Sequence, residues 1–223
     1  MVQGPVRAER LSRLQGVYAI VDGGSTATPL ALVAAFLEGG ARVVQLRLKD
    51  APAGDLFRVA VESVALCRVR GALLLVNDRP DVARCADADG VHLGQDDLPP
   101  AAAREILGPD AIVGISTHSD AEIDAAKAAG ADYVGFGPVF ATRSKGKSPL
   151  PPPHGTAGLR RAVERASPLP VVAIGGITVA TVAEVARAGA RCAAAIAELC
   201  AAPDPATRTR EMARAFVGDG HAR

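Results

Sequence analysis

Short apolar runs recur along this chain, and each is followed by a stretch with helical character. The runs are VYAIVD at 17–22, RVVQLRLK at 42–49, LLLVN at 73–77, GVHLG at 90–94, AIVGIS at 111–116, DYVGFG at 132–137, PVVAIGG at 170–176 and RCAAAIA at 191–197. Helices are expected over 29–40, 53–70, 80–85, 99–107, 120–129, 156–166, 179–188 and 206–216, with a short leading helix at 8–15. The segment at 29–40 has Pro in its first turn and Gly beyond its end, and Ser119 with Glu122 makes a capping-box spacing. No linker-like break interrupts the eight units, so the prediction is α/β: one single-domain (β/α)8 TIM barrel across 1–223, with the barrel at 16–217 and a flexible tail at 218–223. An open doubly wound sheet gives no reason for eight evenly spaced units.

Composition narrows the function classes. A net charge of +1 supplies neither a basic stripe for nucleic acid nor an acidic tail, and 3% aromatics without Trp leaves no stacking platform. Cys67, Cys85, Cys192 and Cys200 show no CxxC spacing, so reduced and mostly buried thiols are expected rather than a disulfide framework. The charged N-terminal stretch has no apolar run of signal-peptide length, and no segment reaches about 18 consecutive apolar residues. A soluble, cytoplasmic protein with no membrane or nucleic-acid partner is the expectation; homo-oligomerisation is left open.

In a barrel of this kind the active site occupies the rim at the C-terminal strand ends. The stretch NDRPDVARCADADGVHLGQDD at 77–97 brings two acidic strand ends there. If LLLVN and GVHLG are parallel neighbours, Asp78 and Asp97 emerge about one strand spacing apart, roughly 4.8 Å. Two carboxylates beside Asn77 suit a hard cation such as Mg²⁺. Read singly, Asn77–Asp78 before Pro80 and Asp96–Asp97 before Leu98–Pro99 are ordinary turn and capping residues.

Alternation along VVQLRLK puts Gln45, Arg47 and Lys49 on one face and Val44, Leu46 and Leu48 on the other. The apolar face should meet the helices, which leaves two cations pointing into or over the barrel. They either hold a phosphate or diphosphate, Arg47 bidentately, or pair internally with Asp50, Asp78 or Asp97. His92 reads equally as a packed core histidine or a ligand contact. Ser116 ends a strand, and His118 reads as a loop residue. The long loop at 137–155 carries Thr142, Arg143, Ser144, Lys145 and Lys147 and suits a lid over phosphates. Gly175–Gly176 follow the seventh strand, where barrels commonly cup a phosphate with backbone N–H groups.

In combination and in order, QLRLKD (45–50), VNDR (76–79), GVHLGQDDLP (90–99), GIS (114–116), DYVGFGPVFATRSK (132–145) and AIGGI (173–177) resemble the thiamine-phosphate synthase family. The resemblance spans about 17 to 205. It implies a Mg²⁺-dependent transferase joining a hydroxymethylpyrimidine diphosphate to a thiazole phosphate with release of pyrophosphate. Carried over by position, Gln45, Leu46, Arg47, Leu48, Lys49, Asn77, Ser116 and Lys145 are the pyrimidine-diphosphate contacts, with Arg47, Lys49 and Lys145 catalytic. Asp78 and Asp97 are the metal ligands, and Thr142, Arg143, Ser144, Gly176, Ile196 and Ala197 form the thiazole-phosphate side. It also implies that the diphosphate leaves first and that the thiazole nitrogen attacks the resulting pyrimidine cation. No partnered Ser or Cys nucleophile is evident, so catalysis would rest on charge stabilisation and proximity.

The chain departs from the family pattern at Ser144, usually Thr, and in GARCAAAIAEL, which offers Arg191, Cys192 and Ala197 where Asp-Gly and Ser are usual. Two alternatives remain. A thiazole tautomerase shares the barrel, but that resemblance would call for a His where this chain has Pro138. A non-catalytic phosphate-binding barrel would have no use for metal ligands and leaving-group cations together.

Overall fold

The computed structural model describes residues 5–142 and 152–218. Eight parallel strands close in sequence order into a barrel: β1 (Gly16–Asp22), β2 (Val43–Arg47), β3 (Leu73–Asn77), β4 (Gly90–Leu93), β5 (Ile112–Thr117), β6 (Tyr133–Phe136), β7 (Val171–Ile174) and β8 (Cys192–Ala195). β8 pairs back onto β1, with Val17 opposite Ala193. The expected (β/α)8 architecture is present.

The helices are α1 (Pro5–Arg13), α2 (Pro29–Glu38), α3 (Ala53–Val69), α4 (Pro80–Cys85), α5 (Pro100–Leu107), α6 (Asp120–Ala128), α7 (Gly155–Ala166), α8 (Val182–Arg187), α9 (Ala197–Cys200) and α10 (Pro205–Val217). Local chemistry sets their starts. Thr28, Ser119 and Asp204 accept the N–H groups of Ala31, Glu122 and Thr207, and Pro opens α2, α4, α5 and α10, where its missing N–H costs nothing.

Some boundaries differ from expectation. α1 begins earlier and ends at Arg13. β2 stops at Arg47, because the chain turns there and the Ala51 N–H returns to the Leu48 carbonyl (3.2 Å). α8 starts only at Val182, since the Thr181 hydroxyl accepts the Thr178 N–H (3.0 Å) in a preceding turn. The short α9 was not expected. The tail beyond 218 lies outside the described residues.

Strand side chains divide between two cores. Val44, Leu46, Leu74, Val91, Val113 and Val134 face the helices and join their apolar stripes, with Phe36 of α2 fully buried among them. Replacing Phe36 by Ala there would cost about 3–5 kcal/mol. Tyr18, Ile20, Val43, Leu73, Leu75, Ile112, Tyr133, Val172, Cys192 and Ala194 fill the barrel interior.

Helix α1 closes the N-terminal end of the barrel. Leu14, just beyond it, is fully buried in the interior core, and Leu11 packs against that core. The Arg10 Nε lies 3.0 Å from Asp89, whose other oxygen accepts the Leu74 N–H (2.9 Å). Asp132 accepts the Val113 N–H (2.8 Å) and binds Arg104 (2.6 Å), with Arg7 at 3.7 Å. All four cysteines are free. Among the described residues, no helix is long and apolar enough to cross a membrane.

Candidate active site

Two cavities open at the C-terminal strand ends. One, of about 250 Å³, is lined by Gln45, Arg47, Lys49, Asn77, Asp78, His92 and Asp97. Its neighbour, of about 210 Å³, lies towards β6–β8 and is lined mainly by apolar groups with Thr142, Gly175, Gly176 and Thr178. Ser116, His118, Gly135, Ile174 and Ile196 line both, so the chambers adjoin.

The charged chamber is built by β2, β3 and β4. β3 and β4 are parallel neighbours with Asn77 opposite His92, and the Asp78 N–H continues the ladder to the His92 carbonyl (2.9 Å). Asp78 has φ +61°, an uncommon conformation for a residue with a side chain, at the point where it turns into the chamber. The Asp78 and Asp97 carboxyls are in hydrogen-bond contact. Burial opposes ionisation of Asp78, yet its bonds to Asp97 and Lys49 hold its carboxyl below the usual range. Burial and the ionised neighbour push Asp97 up, although the Gly94 N–H donates to it (2.6 Å). The two crowded carboxyls thus resist carrying full negative charge together.

That donor set fits a hard divalent cation, whose charge would relieve the repulsion between the two carboxylates. Among the described residues, no group of three or more His, Cys, Asp or Glu side chains is placed to hold a metal ion. The remaining coordination would fall to water and to ligand oxygens.

The cations of β2 are internally paired. Lys49, half exposed, lies 3.0 Å from Asp78. Arg47 pairs not with Asp50, Asp78 or Asp97 but with Asp22, its register partner at the end of β1. Asp22 does not line the chamber, whereas Arg47 does. One guanidinium nitrogen is thus anchored from behind while the other donors remain for a ligand. Leu46 and Leu48 do not share this role. Their side chains are buried against the helices by the alternation of the strand, so only their backbone could meet a ligand.

A continuous hydrogen-bonded chain crosses the chamber floor. The Gln45 Nε2 donates to the Tyr18 hydroxyl (2.6 Å), which lies 3.0 Å from the Tyr133 hydroxyl. Tyr133 meets His92 Nδ1 (2.8 Å), and His92 Nε2 meets the Ser116 hydroxyl (2.9 Å). Neither tyrosine stood out in the sequence. The only signal was Gly114 and Gly135, whose significance is steric: a Cβ on Gly114 would stand 2.0 Å from Tyr133 Cζ, and one on Gly135 would stand 3.0 Å from His92 Cε1.

In the second chamber, Ile196 and Ala197 lie at the end of β8, and Thr142 and Gly176 sit on facing turns. The Val139 and Phe140 N–H groups donate to Ile174 and Gly175 (2.9 Å each), joining the loop after β6 to the turn after β7. Glu198, which also escaped notice, reaches this chamber, accepts the Val179 N–H (3.3 Å) and pairs with Arg208 (3.4 Å). Arg191 and Cys192 are far from the rim: Cys192 begins β8 inside the barrel, and Arg191 donates to the Leu14 carbonyl (3.3 Å) at the closed end. Arg143, Ser144 and Lys145 lie outside the described residues.

The sequence pattern of the family described as "Thiamine monophosphate synthase" matches residues 17–199. A thiamine-phosphate synthase of Anaeromyxobacter dehalogenans is 51% identical over 222 residues, covering 99% of this chain and 96% of that protein. Its counterpart from Chlorobium phaeobacteroides is 46% identical over 87% of this chain and 92% of its own length. The solved structure of a thiamine phosphate pyrophosphorylase from Pyrococcus furiosus superposes with a TM-score of 0.84 at 37% identity, over 93% of this chain and 98% of that one. With two adjoining rim chambers and these relatives spanning nearly its whole length, the chain belongs to the thiamine monophosphate synthase family.

Proposed function

We propose that the protein is a cytoplasmic, Mg²⁺-dependent thiamine-phosphate synthase that joins a hydroxymethylpyrimidine diphosphate to a thiazole phosphate and releases pyrophosphate. The observation that carries the reading is the pair of unlike chambers sharing the wall formed by Ser116, Gly135, Ile174 and Ile196. The charged chamber suits the pyrimidine and its diphosphate. The apolar one suits the thiazole, with Thr142 and the backbone of Gly176 towards its phosphate.

Asp78 and Asp97 would hold Mg²⁺, which would supply positive charge to the leaving diphosphate. Arg47 and Lys49 would meet the diphosphate from the β2 side, and the family resemblance gives Lys145, which lies outside the described residues, the same role. Their charges favour the state in which the C–O bond to the diphosphate has broken. The shared wall keeps the thiazole nitrogen beside the electron-poor pyrimidine methylene, so addition requires no diffusional encounter. Formation of the C–N bond then leaves the positive charge on the thiazolium nitrogen, and pyrophosphate is the released leaving group.

The test is a coupling assay with both substrates, run with and without EDTA. Thiamine phosphate and pyrophosphate should form in equal amounts and only when Mg²⁺ is present. Folded protein that makes neither product would falsify the reading. Asp78→Asn and Lys145→Ala should reduce turnover more than thiazole-phosphate binding; equal losses would show that the diphosphate side has been misplaced.

A further inference from the structure

We propose that Tyr18, Tyr133 and His92 are positioning residues whose hydrogen-bonded chain fixes the polarity of the chamber floor and thereby selects an aminopyrimidine over the corresponding oxo-pyrimidine. The inference rests on the reading of this chamber as the pyrimidine site.

The argument follows the protons. Gln45 donates its Nε2 to Tyr18, so the Tyr18 oxygen is an acceptor there and its own proton goes to the Tyr133 oxygen. The Tyr133 proton then goes to His92 Nδ1. Accepting at Nδ1, His92 must consequently carry its proton on Nε2, which donates to the Ser116 oxygen. Two groups at the ends are left facing the cavity with fixed roles. The Gln45 amide oxygen is an acceptor, and the Ser116 O–H is a donor.

An aminopyrimidine presents the complementary set, an amino N–H and an unprotonated ring nitrogen. An oxo-pyrimidine presents the reverse, a carbonyl oxygen and a ring N–H. To accept it, every proton in the chain would have to reverse and the Gln45 amide would have to flip.

The surroundings favour fixed polarity. Tyr18 and Tyr133 are fully buried, and burial pushes both phenols up, so they remain neutral hydroxyls that each donate one proton. Gln45 is only 2% exposed. Every link joins a different strand, from β2 through β1, β6 and β4 to β5, so the chain is held by the barrel itself.

The experiment measures kcat/KM for the aminopyrimidine diphosphate and for its 4-oxo analogue in the wild type, Tyr133→Phe and Tyr18→Phe. Circular dichroism checks folding, and ¹⁵N NMR of the wild type reports the His92 tautomer. The wild type should prefer the amino substrate by about 100-fold or more. Each variant should compress that preference by about tenfold, mainly by losing the amino substrate, because the broken chain no longer fixes both ends. The NMR should show Nδ1 unprotonated and Nε2 protonated.

An unchanged preference in a folded variant, or equal losses on both substrates, overturns the proposal. So does the opposite tautomer, a measurement that needs no variant. A wild type that turns over neither substrate refutes the synthase reading instead, and the tautomer still tests the polarity of the chain.

Discussion

Gly176→Ala is the sharpest test of how the thiazole side is held. Gly176 has φ +63°, and a Cβ there would stand 2.4 Å from the Ala141 carbonyl oxygen and 2.9 Å from the Phe140 carbonyl carbon. Restoring an ordinary 3.4 Å contact requires the loop after β6 to retreat by about 1 Å. The left-handed backbone costs about 1 kcal/mol for a residue with a side chain, and the forced contact adds about 1–3 kcal/mol. Because Thr142 follows Ala141, the retreat carries it away from the chamber. A 1 Å misplacement of a positioning group typically costs about 100-fold in rate, so kcat/KM for the thiazole phosphate should fall by about that factor. Binding of the pyrimidine diphosphate, on the other side of the shared wall, should stay within about twofold. The assay pairs steady-state kinetics with calorimetric titration of each substrate and urea unfolding. Unchanged thiazole-phosphate kinetics together with unchanged unfolding would refute the reasoning, because the contact leaves the alanine no other place to go.

Asp22→Asn removes the carboxylate behind Arg47 at nearly constant shape. KM for the pyrimidine diphosphate should rise by several-fold while thiazole-phosphate KM is unmoved; steady-state kinetics with each substrate varied in turn checks this. Asp97→Asn should abolish Mg²⁺-dependent turnover but leave the barrel folded, as read by product formation and circular dichroism, because the asparagine oxygen can still accept the Gly94 N–H. Asp132→Ala should cost about 3 kcal/mol of stability by stranding Arg104 and the Val113 N–H, measured by urea denaturation. Since Asp132 lies at the closed end of the barrel, pyrimidine-diphosphate KM in the folded fraction should be unchanged.

Fold and charged rim were legible for the same reason: both depend on local order along the chain. Each strand end is marked by the residues that follow its apolar run, so Asn77–Asp78 and Asp97 could be brought together once the units were counted. What escaped depends on register. Asp22 reads as the start of a turn in DGGST, and only the β1–β2 register sets it opposite Arg47. Tyr18 and Tyr133 are 115 positions apart and look like ordinary strand aromatics. Their meeting requires Gly114 to lack a side chain, which no periodicity announces. Leu46 and Leu48 show how a match by position and a strand's alternation address different atoms: the alternation turns their side chains towards the helices and leaves only their backbone for a ligand.

Helix α1 and Leu14 make the barrel a blind cup at the end away from both chambers. The closed end is therefore free to be engineered without touching the chemistry: substitutions at Leu11 or Leu14 should change unfolding by urea while leaving the KM of both substrates in the folded fraction unmoved.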